Sequence, residues 1–104
     1  MDISLENKKI AEHYGYEAQS NQLVEECAEL IQAVSKYRRA GGNGQITTKK
    51  ADIALENLVE EIVDVEIMLE QIKHLLDIPE DNLQALKIFK INRTKERMAG
   101  SKGA

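Results

Sequence analysis

The sequence predicts an all-α fold, an antiparallel helical bundle of about four helices per chain that is completed by homo-oligomerisation. Three observations carry that prediction. Apolar residues recur at steps of three and four through most of the 104 residues, the single proline and the glycines fall between those periodic runs, and no stretch alternates with the two-residue period of a strand. The core menu agrees: with no Trp and one Phe, it is left to Leu, Ile, Val and Ala.

The first helix is expected over residues 4–14, capped by Ser4 and ended by Gly15. The second is expected over 20–39, with Ser20 or Asn21 as its cap and the stripe Leu23, Cys27, Leu30 and Val34 along one side. The GGNG at 41–44 reads as a flexible break, a hinge rather than a phosphate loop, because no strand precedes it; Lys49 and Lys50 make it only a weak anion candidate. Thr47–Thr48 marks the next start. The third helix runs from about Lys50 to Leu76, and Leu55, Leu58, Ile62, Val65, Leu69, Ile72 and Leu76 step along it without a fault. Asp77-Ile78-Pro79 breaks it, Pro79 suits the first turn of a fourth helix over 80–98, and residues 99–104 form a disordered tail. The chain is therefore one domain over 1–98.

Composition narrows the class. With 42% apolar and 31% charged residues the chain has an ordinary soluble profile. No apolar run approaches the ~20 residues that span a bilayer, and the MDISLENKK start lacks a signal-peptide core, so no membrane partner is expected. The lone Cys27 cannot form an internal disulfide and fits a buried structural thiol in a reducing, cytoplasmic setting. The net charge of −4 argues against nucleic acid as a partner, and it hides a split. Residues 1–79 carry 15 acids against 8 Lys/Arg, giving −7, while residues 80–104 carry 6 Lys/Arg against 3 acids, giving +3.

The acids are the chemical signal. Glu26-Cys-Ala-Glu29 on the second helix is matched by Glu61-Ile-Val-Asp64 on the third. At about 100° per residue, each pair sits at the edge of its apolar stripe, so an antiparallel packing brings the four carboxylates face to face. Like charges so placed repel, and desolvation adds to the cost. A divalent cation resolves the conflict, and an all-oxygen donor set suits Mg2+ or Mn2+. Glu25 or Glu60, outside that set, is a candidate general base. Glu56, Glu66 and Glu70 fall elsewhere on the third helix and read as solvated. Lys87, Lys90, Arg93 and Arg97 form one basic stripe on the fourth helix, suited to phosphate oxygens or to pairing with the acidic body. His13, Tyr14 and Tyr16 offer rings for stacking on a base, or for core and interface packing.

LVEECAEL at 23–30 followed by LVEEIVDVEIML at 58–69 resembles the MazG-type all-α nucleotide pyrophosphohydrolases, whose hallmark is E-x-x-E, a variable connector, then E-x-x-D. The resemblance covers roughly residues 10–97 and takes in Gln22 ahead of the first motif, the D-x-P turn, and KIFKINRTKER with its Asn92 and Arg93. The connector of 31 residues between Glu29 and Glu61 is on the long side, and the lysine spacing before Asn92 departs from the usual one. What the resemblance implies is hydrolysis of a nucleoside triphosphate to the monophosphate and pyrophosphate. It implies Glu26, Glu29, Glu61 and Asp64 as Mg2+ ligands. Gln22, Lys87, Lys90, Asn92, Arg93, Arg97, His13 and Tyr14 would face substrate, with a homodimer or tetramer as the assembly. Two rival functions are a helical assembly module without catalysis and a nucleotide-binding regulator that keeps the metal site. Val59, Val63, Ile67 and Met68, off the main stripe, supply the surplus apolar surface that pairing would cover.

Overall fold

The computed structural model describes residues 1–44 and 48–103, with side chains given through residue 100. Thr47 and Ala104 lie outside the described residues. Among the described residues three helices follow one another: α1 (Ile3–Arg39), α2 (Lys49–Leu75) and α3 (Glu80–Gly103). Among the described residues there is no strand, and no helix is long and apolar enough to cross a membrane. Helix α3 continues through 99–103, where a tail was expected.

The count of three rather than four comes from Gly15. Its φ of 83° and ψ of 171° are non-helical, in a region that essentially only glycine occupies, so the chain bends sharply there. Helical geometry resumes at once, with no linker. Ser20 is accordingly no cap: its hydroxyl donates to the Glu17 carbonyl at 3.0 Å, inside the helix. The cap at the start is Asp2 rather than Ser4. Asp2 Oδ1 accepts from the Leu5 amide at 3.0 Å, placing a negative charge at the positive end of the helix.

Three amides hold the bend. Gln71 of α2 donates to Asn7 Oδ1 at 2.7 Å and accepts from Gln19 Nε2 at 2.6 Å, and Asn7 donates to the Ile67 carbonyl at 3.0 Å. Asn7 and Gln19 would stand about 18 Å apart on a straight helix. Both reach one glutamine because Gly15 folds the two segments of α1 toward it. His74 and Glu12, 2.9 Å apart, tie the same two elements nearer the turn.

Both ends of the hairpin are built turns. After α1, Gly41 takes a positive φ of 89°, its amide bonds the Arg38 carbonyl and the Gly42 amide bonds that of Tyr37. That double bond pattern is a Schellman cap. Gly42 lies against the Tyr37 ring, where a Cβ would collide, and Tyr37 Oη accepts from the Gly44 amide at 3.0 Å. The described part of GGNG is thus an ordered cap and not the expected hinge. Thr48 then caps α2, its Oγ1 accepting from the Ala51 amide at 3.0 Å. After α2 the same cap recurs with Asp77 at the positive-φ position: Asp77 N–H bonds His74 O and Ile78 N–H bonds Lys73 O.

The α1–α2 seam is narrow. Its buried residues are Ala11, Ala33, Tyr37, Ala51, Val65 and Met68 with the amides of Asn7, Gln19 and Gln71, and among the described residues no large side chain is completely enclosed. Small alanines and amides let the helices approach closely, leaving larger aliphatics on the flanks. The expected stripes therefore bury only in part. Ile62, Leu69 and Leu76 remain 40–49% exposed, Val34 is exposed, Cys27 is half-buried, and Met68, expected off the stripe, is buried. Among the described residues α3 packs against neither α1 nor α2.

Candidate functional site

The repeat of acids meets across the seam. Glu26 lies near the centre of the α1 face that looks at α2, Glu29 one turn on, and Glu61 opposite them. One carboxylate oxygen from each of the three lies within 4.8 Å of the others. Gln22, one turn before Glu26, donates to Glu26 Oε1 at 2.9 Å and fixes that side chain. The second oxygen of Glu26 and that of Glu61 are buried with no hydrogen-bond partner among the described residues.

The electrostatics follow. The Glu61 carboxyl is pushed above its ordinary 4.5, first by loss of water and then by the charges of Glu29, Glu26 and Asp64; a hydrogen bond shared with Glu26 acts in the same direction. Asp64 is half-buried and close enough to be felt at Glu61, but it is not one of the three residues whose oxygens converge. The expected four-carboxylate set thus appears as three converging groups with a fourth beside them.

Other expected residues stand apart. Glu25 and Glu60 are exposed. His13 and Tyr14 are exposed beside the Gly15 bend, their rings edge to face at 4.7 Å, and Tyr16 is exposed after it. Lys87, Lys90, Asn92, Arg93 and Arg97 are exposed along α3, with the Arg93 guanidinium 5.8 Å from the Phe89 ring centre. Since α3 does not pack on the hairpin, one chain does not bring this basic stripe to its own carboxylates.

Sequence reasoning missed two features. The amide chain through Asn7, Gln19 and Gln71 was one; its signal was a glutamine three residues after Met68, on the side that turned out to be buried. Glu70 was the other. It was expected in solvent, yet it is half-buried with Oε1 unpartnered, on the wall of a cavity of about 550 Å3 shared with Lys8, Lys73, His74 and Asp77.

Compared with protein-family models, curated proteins and solved structures, the chain matches none.

Proposed function

We propose that this chain hydrolyses a nucleoside triphosphate, ribo or deoxy, to the monophosphate and pyrophosphate with Mg2+ held by the carboxylate cluster. The observation that carries the reading is the convergence of Glu26, Glu29 and Glu61 with two buried, unpartnered oxygens. Glu26 and Glu61, half-buried, and the exposed Glu29 are set against one another, which is unfavourable alone, and a hard cation offsets the repulsion and the partial loss of water. On this reading Glu26, Glu29 and Glu61 hold the ion, with Asp64 as a fourth ligand, and Mn2+ is an acceptable substitute. When bound, the ion supplies charge neutralisation of phosphate oxygens and an acidified water.

The rest falls to the chain. Gln22 holds Glu26 in place. Glu25 or Glu60 takes a proton from the attacking water. Donors for phosphate oxygens would come from α3 of a second copy, Lys90 and Arg93 first, because neither motif has a Lys or Arg beside it and α3 does not pack on its own hairpin.

The test is incubation with each NTP and dNTP plus Mg2+, measuring pyrophosphate against orthophosphate. Pyrophosphate release that disappears in Glu61→Gln supports the reading. Undiminished turnover in that variant sinks the ligand assignment.

A second reading, a helical assembly module without catalysis, is favoured by one observation: the aliphatics left on the hairpin flanks and along α3. It predicts indifference to both Mg2+ and nucleotides.

A further inference from the structure

The net charge of −4 averages over two very different parts of the chain. From Leu30 to Ala51 the sequence carries Lys36, Arg38, Arg39, Lys49 and Lys50 and not one acid. Taking this +5 away from −4 leaves −9 for all the other residues. The fold gathers the five cations at the loop end of the hairpin. Lys36, Arg38 and Arg39 close α1, and Lys49 and Lys50 open α2. The cap at Gly41 and the Thr48 hydroxyl, which donates to the Ala40 carbonyl at 3.3 Å, hold the two helix ends together. All five cations are exposed, and among the described residues none has an ion pair.

This end is costly as it stands. Like charges repel, and Lys49 and Lys50 also occupy the first turn of α2, the positive end of its dipole. The dipole of α1 favours cations in its last turn, so helix stability accounts for Lys36, Arg38 and Arg39 but not for the pair on α2. An anion relieves both. Ser35, Arg38 and Arg39, at steps of three and four on one face of α1, line an open recess of about 370 Å3. A hydroxyl and two guanidinium forks are the donors that phosphate oxygens take.

The surroundings select among anions. Among the described residues from 35 to 52 no large apolar side chain is exposed, and Tyr37 is buried. The end thus has no apolar wedge for a bilayer, no apolar centre for a protein partner and no ring on which unpaired bases would stack. A duplex backbone needs none of these, since charge alone binds it. The cations also come in two groups, one per helix. Packed helix axes lie about 8–10 Å apart, within the roughly 6–12 Å widths of duplex grooves, so phosphates of both strands can be held together.

We infer that the loop end of the hairpin docks on the phosphate backbone of a nucleic-acid duplex without reading its sequence. Helix α3 is basic too, but Leu86, Ile88, Phe89 and Ile91 lie exposed among its charges, a mixed face that a duplex does not cover. The acidic body does not prevent docking. Glu29 lies about 10 Å along α1 from Lys36 at 1.5 Å per residue, beyond the screening length of about 8 Å at physiological salt. A single net charge, which argues against nucleic acid, describes neither end. The inference does not depend on nucleotide hydrolysis, and its test contains neither nucleotide nor metal.

The test titrates the full chain, in EDTA, into fluorescently labelled 20-base-pair DNA and RNA duplexes of two unrelated sequences each. Three to five phosphate contacts predict that affinity falls about 40- to 500-fold between 0.05 and 0.2 M salt, alike for both sequences. Binding of one duplex type or of both supports the docking and tells which backbone is taken. Arg38→Gln with Arg39→Gln, and separately Lys49→Gln with Lys50→Gln, should each flatten the log–log salt slope by about 1.8. In 15N spectra of the unsubstituted chain, duplex should shift amides between 36 and 50. No binding at 0.05 M salt, shifts confined to α3, or folded variants that bind as the parent does overturn the inference. Tighter binding to phosphatidylserine vesicles or to polyglutamate than to either duplex overturns it as well.

Discussion

Glu61 shows how one side chain couples the fold to the solution around it. Its carboxyl is pushed above 4.5, so the folded chain holds that proton more tightly than the unfolded chain does. Stability from this group is therefore greatest below about pH 4.5 and declines as pH rises through the raised folded value. Glu61→Gln removes the decline. In EDTA, the melting temperature of the variant should gain on the parent across that window and stay ahead above it. Mg2+ should raise the parent and leave the variant nearly unmoved. A variant that tracks the parent at every pH would show that the three carboxylates do not meet. Gly15 makes a different point at the same scale. A Cβ there would touch nothing within 4 Å, but the backbone sits at φ 83°, ψ 171°. Gly15→Ala should cost about 1–3 kcal/mol, through conformation alone. Urea unfolding of the two chains measures it, and a change within a few tenths would mean the bend relaxes freely.

At the scale of the element, the caps decide where helices stop and which way the chain leaves. Thr48 satisfies the Ala51 amide and also donates to the Ala40 carbonyl at 3.3 Å, joining both ends of the loop. Thr48→Ala should cost about 1 kcal/mol, with Thr48→Ser nearly neutral. Asp77 holds a left-handed conformation, φ 52°, that glycine adopts without strain. Asp77→Gly should therefore be neutral or stabilising by a few tenths of a kcal/mol, and Asp77→Val should be clearly destabilising. Melting curves rank the three chains, and the reverse order would remove the cap from the account of how α3 is aimed. The amide chain through Gln71 acts as a lock between elements. A buried amide that loses its partner costs about 1–3 kcal/mol, so Gln71 matters to the α1 bend although it lies on α2.

For the whole molecule, the governing fact is the balance of surface against seam. Alanines and amides bring α1 and α2 together closely and leave the flanks apolar. If α3 of a second copy meets the acidic hairpin, part of the contact is between opposite charges, and salt should weaken it. Raising the salt from about 0.05 to 1 M, where the screening length falls to roughly 3 Å, should shift the assembly toward smaller mass at low micromolar protein. Sedimentation equilibrium reads this, and a contact that tightens with salt would be purely apolar. The effect is modest, because exposed pairs contribute little each and the aliphatics carry the rest.

The sequence by itself determined the helices. Periodicity, Gly41, Thr48, Asp77 and Pro79 are local signals, and they placed the helix boundaries to within a few residues, apart from the segment after Gly15 and the extension of α3 to Gly103. It also placed Glu26, Glu29 and Glu61 on facing sides of two neighbouring helices, because matched offsets from two stripes survive a moderate rotation of either helix. Tertiary structure alone decided the rest. An apolar stripe records that a face wants cover, but it cannot say which part of a broad face a neighbour takes. Here the close seam went to alanines and to Gln19, Gln71 and Asn7, whose partners lie 52 to 64 residues away in the chain. Glycine's freedom likewise allows both an end and a bend at residue 15, and the bend follows from amides on both sides of it converging on Gln71. The separation of the basic stripe from the acids in one chain rests on the same cause: helix direction after a turn is a property of three dimensions, and no spacing along a single helix encodes it.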